Sequence, residues 1–392
     1  MKCLDKYIVI IMSKLTRFLY EAEEVEAAFI STMINKINIK ECYYWLFELY
    51  YSKIDIFPII WKLYLDYYAI FNPKMENYIN KRHKLWKKDN SIEHICYIIK
   101  NLHVLKLNYD VFMMRQLCQQ RELYVTSINR GRNPSWTKLF KKDHVKLLMS
   151  INKRQYNNIC YYLTELFKSG CDLHELHKEI CLFYAWERGY ELDDEERKSD
   201  LIKNIEKSWE TKVKHNCFHY LLSIICQMNV LDEDIQEQKL FIVPNKEDID
   251  EIIARYKDVV VPVYRTLQKK RRYNIDETIG LYSDLIRFGF ESQDKYKVEL
   301  REHWEYYAYR TPYWREIIDK YGGILDDEMR EINFPDDEKS ENFYELYGYE
   351  LDEQCHEVQN MGFLPIRKIS YTEMAEDIDS IIDYPDNFEL FK

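Results

Sequence analysis

Apolar residues recur at intervals of three and four through most of this chain, the period of helices that bury one face. Leu15, Phe18, Leu19, Ala22, Val25, Ala28 and Phe29 follow that spacing and predict a first helix over residues 13–35. A second helix is expected over about residues 40–51 and breaks at Ser52 and Lys53. Asp55 then caps a third helix with Pro58 in its first turn, where a missing N–H costs little. Further helices are expected at 74–88, at 91–124 through Ile92, Ile95, Cys96, Ile99, Leu102 and Leu105, and at 199–230. Asn245 with Asp248 caps one that runs through Tyr256, and Thr311-Pro312 opens one that carries Trp314, Ile317 and Ile318.

One stretch of this pattern occurs twice. Residues 42–69 and 160–185 both begin Cys-Tyr-Tyr, and with a one-residue gap at Trp45 they align Leu46 with Leu163, Glu48 with Glu165 and Leu49 with Leu166. The alignment continues with Tyr50 and Phe167, Ser52 and Ser169, Asp55 and Asp172, and Ile56 and Leu173. A shared spacing of apolar, acidic and turn residues predicts one helix-turn-helix unit used twice. A fainter third echo is expected over residues 281–290.

The clearest break in the first half is at residues 129–134, which contain a Gly and a Pro. Four consecutive parts are therefore expected: a helical module over 1–130 with the first copy, a second over 131–320 with the second copy, a hairpin-plus-helix appendage over 321–350, and an acidic tail over 351–392. In the appendage, Ile324-Leu325 and residues 329–334 predict the strands and residues 337–347 the helix. The last 40 or so residues alternate acidic with isolated apolar positions and are expected to be extended or disordered until bound. The fold class is thus all-α: stacked helical hairpins with repeat-like modules, a small C-terminal β-hairpin plus helix, and an acidic tail.

Composition sharpens this picture. Gly and Pro number only nine each in 392 residues, which favours long helices, and 34 Tyr supply large rings whose hydroxyls need polar partners. Ten Cys are scattered without disulfide-framework or metal-knuckle spacing, as expected of free thiols in a reducing, intracellular compartment. No apolar run approaches the roughly 18 residues that suggest a membrane span, so neither secretion nor membrane insertion is expected. The net charge of −11 is uneven: residues 326–392 hold 20 acidic and 5 basic side chains, leaving the first 325 residues at +4. The tail can solvate the protein, engage a basic partner or fold back on the body.

Catalytic motifs are absent: the chain contains no phosphate-binding glycine loop, nucleophile elbow or H-E-x-x-H, and no cofactor is implied. Acidic runs at residues 193–196, 326–328 and 336–338 sit in charged, turn-like settings that suit solvated surface better than general acid-base work. Zinc has two weak candidates: His177 with Cys181, and His215 with His219 around Cys217, each at helical i, i+4 spacing. The wider set of Cys171, His174, His177 and Cys181 cannot share one ion on a straight helix, since its ends would lie about 15 Å apart. A buried polar stripe explains these residues equally well.

Three basic clusters carry aromatic neighbours. They are Lys81, Arg82, Lys84, Lys87 and Lys88 with Trp86; Arg130, Arg132, Lys138, Lys141 and Lys142 with Trp136; and Lys269, Lys270, Arg271 and Arg272 with Tyr273. Cations neutralise phosphates while a ring stacks on an unpaired base, so nucleic acid is a candidate partner. The competing reading is a solvated helix face whose Trp points to the core.

Two resemblances add to this. The aromatic-rich helix, turn and acidic cap of residues 44–63, and the copy at 162–180, resemble the collar helices of clamp-loader-related ATPases, whose ATP-binding half has no counterpart here; the likeness implies helix pairing alone. Residues 310–314 (Arg-Thr-Pro-Tyr-Trp), the hairpin and helix at 321–347, and Tyr347-Gly348-Tyr349-Glu350-Leu351-Asp352-Glu353-Gln354 with Val358-Gln359 resemble uncharacterised proteins of giant and algal large DNA viruses. Pro often stands in that family where this chain has Leu351. The family brings no activity and implies a viral origin. Together with exposed helical ridges, it leads to the expectation of a non-enzymatic interaction or scaffold protein with protein partners, in the host cell or the virion.

Overall fold

In the computed structural model the described residues are 14–17, 19, 22–36, 39–119, 125, 134–192, 195–211, 217–227, 242–257, 273–275, 303–347 and 367–369. Among them the chain is mostly helical, with 15 α-helices, one 3-10 turn at Ser135–Leu139 and two small two-stranded sheets. None of these helices is long and apolar enough to cross a membrane. The backbone falls into two compact units that are interleaved along the chain, whereas the modules expected from the sequence run consecutively. One unit takes residues 1–59, 86–104 and 241–392; the other takes 60–85 and 105–240.

In the first unit, α1 (Ala22–Ile34) packs along α2 (Ile39–Tyr51) as a helical hairpin, and both touch α5 (Glu93–Val104). Val25, Phe29, Met33, Cys42, Leu46, Ile95, Cys96 and Ile99 are buried on these helices. A second core gathers Leu15 and Leu19 with Trp304, Tyr306 and Tyr307 of α13 (Trp304–Ala308), Trp314 and Ile318 of α14 (Pro312–Lys320), and Phe343 and Tyr347 of α15 (Asp337–Tyr347). Phe343 lies under Trp304, Phe334, Tyr321 and Tyr347, all at ring-centroid distances of 5.1–6.1 Å. Strands β2 (Ile324–Asp326) and β3 (Glu331–Asn333) pair antiparallel as expected. The hairpin and helix are not an appendage, however. Ile332, Leu325, Phe334 and Tyr344 pack onto this aromatic core, so the segment is built into the unit.

Two predicted elements change for tertiary reasons. The first helix starts at Ala22 rather than residue 13, because the backbone of residues 15–17 is claimed from outside: Leu15 O accepts from Thr311 Oγ1, Thr16 O from Trp314 Nε1 at 2.9 Å, and Arg17 N–H donates to Ser52 Oγ at 2.7 Å. A helix cannot form there without giving up those partners. The helix expected over 91–124 is two, α5 and α6 (Asp110–Gln119). Asn72 Nδ2 donates to Lys106 O, Asn108 N–H to Tyr67 O, and Asn108 Oδ1 accepts from Asp110 N–H, so the intervening backbone is satisfied without helical bonds.

The second unit contains α6 to α11. Here α7 (Val145–Asn152) packs on α8 (Tyr156–Lys168), α9 (Leu173–Glu187) on α10 (Glu195–Thr211), and α6 meets both α8 and α11 (Cys217–Gln227). Leu147, Leu148, Cys160, Leu163, Leu176, Ile180, Phe183, Leu221 and Ile225 form its core. In the first unit α12 (Lys246–Lys257) packs on α2, with Asn245 Oδ1 accepting from Glu247 N–H at its start. The third echo at 281–290 lies outside the described residues. So does most of the acidic tail, expected to be extended or disordered; residues 367–369 are extended, forming strand β4 paired parallel to β1 (Tyr273–Ile275).

Candidate interaction surface

The repeat is real at the level of hydrogen bonds. Each copy is the second helix of a packed hairpin, a four-residue turn, and a third helix. Lys53 and Gly170 take the left-handed position at φ 60° and 71°. Ile54 N–H and Cys171 N–H reach back to Leu49 O and Leu166 O, both at 3.1 Å, and Ser52 and Ser169 N–H bond Glu48 O and Glu165 O. These are the backbone bonds of a Schellman helix end. Asp55 Oδ1 then accepts from Phe57 N–H, and Asp172 Oδ1 from His174 and Glu175 N–H, so each third helix starts on the same acidic cap. A basic residue at positive φ also precedes each of α2 and α8, Lys36 and Arg154.

What differs is the surroundings. In the first copy Glu48, Leu49 and Ser52 are buried, and Arg17 of the segment 15–17 bonds Ser52. The Arg17 guanidinium lies 3.5 Å from Glu48 Oε2 and over the Tyr51 ring at 5.0 Å, with both charged side chains almost fully buried. Ser52 Oγ donates to Glu48 O at 2.6 Å while accepting from Arg17 N–H. In the second copy Glu165 and Ser169 are exposed, and Phe167 is 50% exposed beside Phe218, with ring centroids 5.3 Å apart. Ser169 Oγ donates to Leu166 O, leaving its lone pairs toward solvent, and Glu165 meets the exposed Lys168 of its own helix at 3.4 Å. The same local structure is closed in one place and open in the other.

The basic-aromatic clusters do not assemble as base-stacking platforms. Trp136 is buried against Phe140, Phe183 and Trp186, and Trp86 packs on Phe57 at 5.0 Å beside the Tyr50 hydroxyl. On α4 (Met75–Asp89), Lys81, Lys84, Lys87 and Lys88 are exposed, while Arg82 lies over the Tyr78 ring. Lys138 and Lys142 are exposed, and Lys141 pairs with Glu175. Arg130, Arg132, Lys269, Lys270, Arg271 and Arg272 lie outside the described residues.

Among the described residues no three His, Cys, Asp or Glu side chains converge as a metal site. His177 is buried, with Nε2 3.4 Å from Cys181 Sγ and its ring against Tyr220, so the i, i+4 pair is an internal hydrogen bond within the core. Burial pushes the pKa of His219 down to about 4, opposed by Asp66, which keeps the imidazole neutral near pH 7. His215 lies outside the described residues. Cysteines 42, 96, 118, 160, 171, 181 and 226 are free thiols.

Sequence reasoning missed the buried ion pairs. Arg115 grips Asp66 through two bonds of 3.1 and 2.8 Å, and both side chains are nearly inaccessible. The signal was present as single charges within apolar runs, Asp66 in a Trp-Lys-Leu-Tyr-Leu-Asp-Tyr-Tyr stretch and Arg115 after Val-Phe-Met-Met. In a helix buried on most sides such a charge needs a partner. The chain was compared with family models, with curated proteins and with solved structures, and it matches none of them.

Proposed function

We propose that this chain is a non-enzymatic interaction or scaffold protein of a large DNA virus, acting in the host cytoplasm or nucleus or within the virion. The observation that carries the reading is the open second copy of the repeat, where Phe167 stands half exposed and Glu165 and Ser169 face solvent, while their counterparts Glu48 and Ser52 in the first copy are buried. Exposed aromatic anchors on preordered helices lose little entropy when a partner covers them. The buried charged groups, Arg17 with Glu48 and Asp66 with Arg115, are held in internal pairs instead of facing a cleft. The viral origin rests on the resemblance of residues 310–314, 321–347 and 347–359. Affinity capture with the wild-type chain and with Phe167→Asp tests the function. Loss of a stoichiometric partner at unchanged melting temperature supports it, and a partner set indifferent to the outer face of α8 overturns it.

Nucleic-acid binding is the second reading, favoured by the four exposed lysines on α4. With both tryptophans turned inward, such binding would rest on phosphate neutralisation. Its affinity would then fall steeply with salt and drop when Lys81, Lys84, Lys87 and Lys88 are neutralised together.

A further inference from the structure

The first copy of the repeat shows what its outer end binds. A short turn-forming segment meets the end of α2, placing one main-chain N–H on the Ser52 hydroxyl and one guanidinium between the Glu48 carboxylate and an aromatic ring. The second copy keeps the carboxylate, the hydroxyl and the turn of this seat, with Lys168 in place of the Tyr51 ring. Glu165 stands for Glu48, Ser169 for Ser52, Leu166 for Leu49 and Phe167 for Tyr50, on a turn with the same hydrogen bonds and the same left-handed residue. The Ser169 hydroxyl donates to Leu166 O, three residues back, where Ser52 donates to Glu48 O four residues back, and it is free to accept. Among the described residues of the second unit none takes the part of residues 15–17 there, and Glu165, Phe167 and Ser169 are exposed.

We propose that the end of α8 is a docking site for a peptide segment bearing an arginine, seated as residues 15–17 are seated on α2. The peptide's arginine would place its N–H on Ser169 Oγ and its guanidinium on Glu165, with an apolar neighbour against Phe167 and Leu166. Arginine is favoured over lysine because its planar fork can grip a carboxylate through two N–H donors. One feature departs from the first copy: Lys168 stands where Tyr51 does and meets Glu165 at 3.4 Å. That pair is exposed at both ends, so it is worth little and yields readily to a better-placed cation. Lys168 therefore acts as a weak competitor for the site.

The inference rests on the interaction reading above, and its test is separable from it. The probe is a fluorescent peptide of residues 13–19 of this chain, Ser-Lys-Leu-Thr-Arg-Phe-Leu, titrated against the full-length protein by anisotropy at low salt. Saturable binding is expected. Replacing the peptide's arginine by alanine, or Glu165→Gln in the protein, should weaken it roughly tenfold, the size of a lost charge-assisted hydrogen bond. Lys168→Ala should tighten it. Absence of binding to the wild-type chain at about 1 mM peptide, a threshold that corresponds to negligible affinity, overturns the proposal, as does binding indifferent to Glu165→Gln. If partner capture depends on Phe167 while this peptide fails to bind, the docking chemistry falls and the interaction reading stands.

Discussion

Lys53 and Gly170 hold the same backbone position in two copies of one turn, both left-handed, although one carries a long side chain and the other none. A non-glycine residue there costs about 1–2 kcal/mol of local strain, and the helix ends at Lys36, Lys53, Asn90 and Arg154 accept that cost. Gly170 has no atom within 4 Å of where a Cβ would sit, so substitution there meets only the backbone term. Gly170→Ala is expected to lower stability by about 1 kcal/mol, and Gly170→Asn by less. Equilibrium denaturation of the two variants checks both the size and the order.

The Asp66–Arg115 pair offers a sharper test. Both side chains are nearly sealed from solvent, and two short bonds hold them. Removing one partner leaves an uncompensated buried charge, so Arg115→Met or Asp66→Leu alone should cost about 3–5 kcal/mol. The double replacement should recover most of that loss, since apolar groups of similar volume need no partner. A double-mutant cycle by chemical denaturation measures the coupling; additive losses would show that the pair is not closed.

Much of the helical framework was legible because period and caps agree. The helix starts near Ile56 and Pro312 and the helix at Asp337–Tyr347 follow from Asp55, Thr311-Pro312 and apolar spacing alone. The repeat was legible for the same reason, its turn residues being local. What sequence could not show were bonds made at long range. Ser52 and Trp314 hold residues 15–17 out of a helix that their own spacing favours, from 35 and 298 positions away. Likewise, nothing local distinguishes Glu48 from Glu165. One is buried under Arg17 and the other faces water, a difference that only packing creates.

Two buried titratable groups give the two units opposite responses to pH. In the first unit, burial raises Glu305 to about 7, although the Tyr344 hydroxyl donates to it at 2.7 Å. The folded form therefore holds a proton that the unfolded chain releases from about pH 4.5, and stability falls as pH rises toward 7. In the second unit His219, lowered to about 4, stays neutral where the unfolded imidazole protonates. Its contribution is complete above about pH 6.5 and is lost as pH falls toward 4. Glu305→Gln should therefore stabilise the protein at pH 8 and remove the first slope. His219→Gln should flatten the second between pH 4 and 6.5. Unfolding free energies measured against pH for the two variants separate the effects, and parallel curves for wild type and Glu305→Gln would disprove the assignment.

Gly323 is required for a different reason from Gly170. It follows α14 and enters β2, and a Cβ there would stand 2.5 Å from the Ile318 side chain and 2.6 Å from that of Ile332, distances real side chains do not reach. Ile318 is fully buried in the aromatic core and Ile332 lies on the facing strand, so neither can withdraw without moving the hairpin. Gly323→Ala should cost about 1–3 kcal/mol through overpacking, and the loss should concentrate around Trp304 and Trp314. Pairing it with Ile332→Ala removes the strand-side clash and should restore part of that loss, even though Ile332→Ala alone is destabilising. Tryptophan fluorescence during denaturation follows both variants. A Gly323→Ala protein as stable as wild type would mean that the hairpin does not press on α14 in solution.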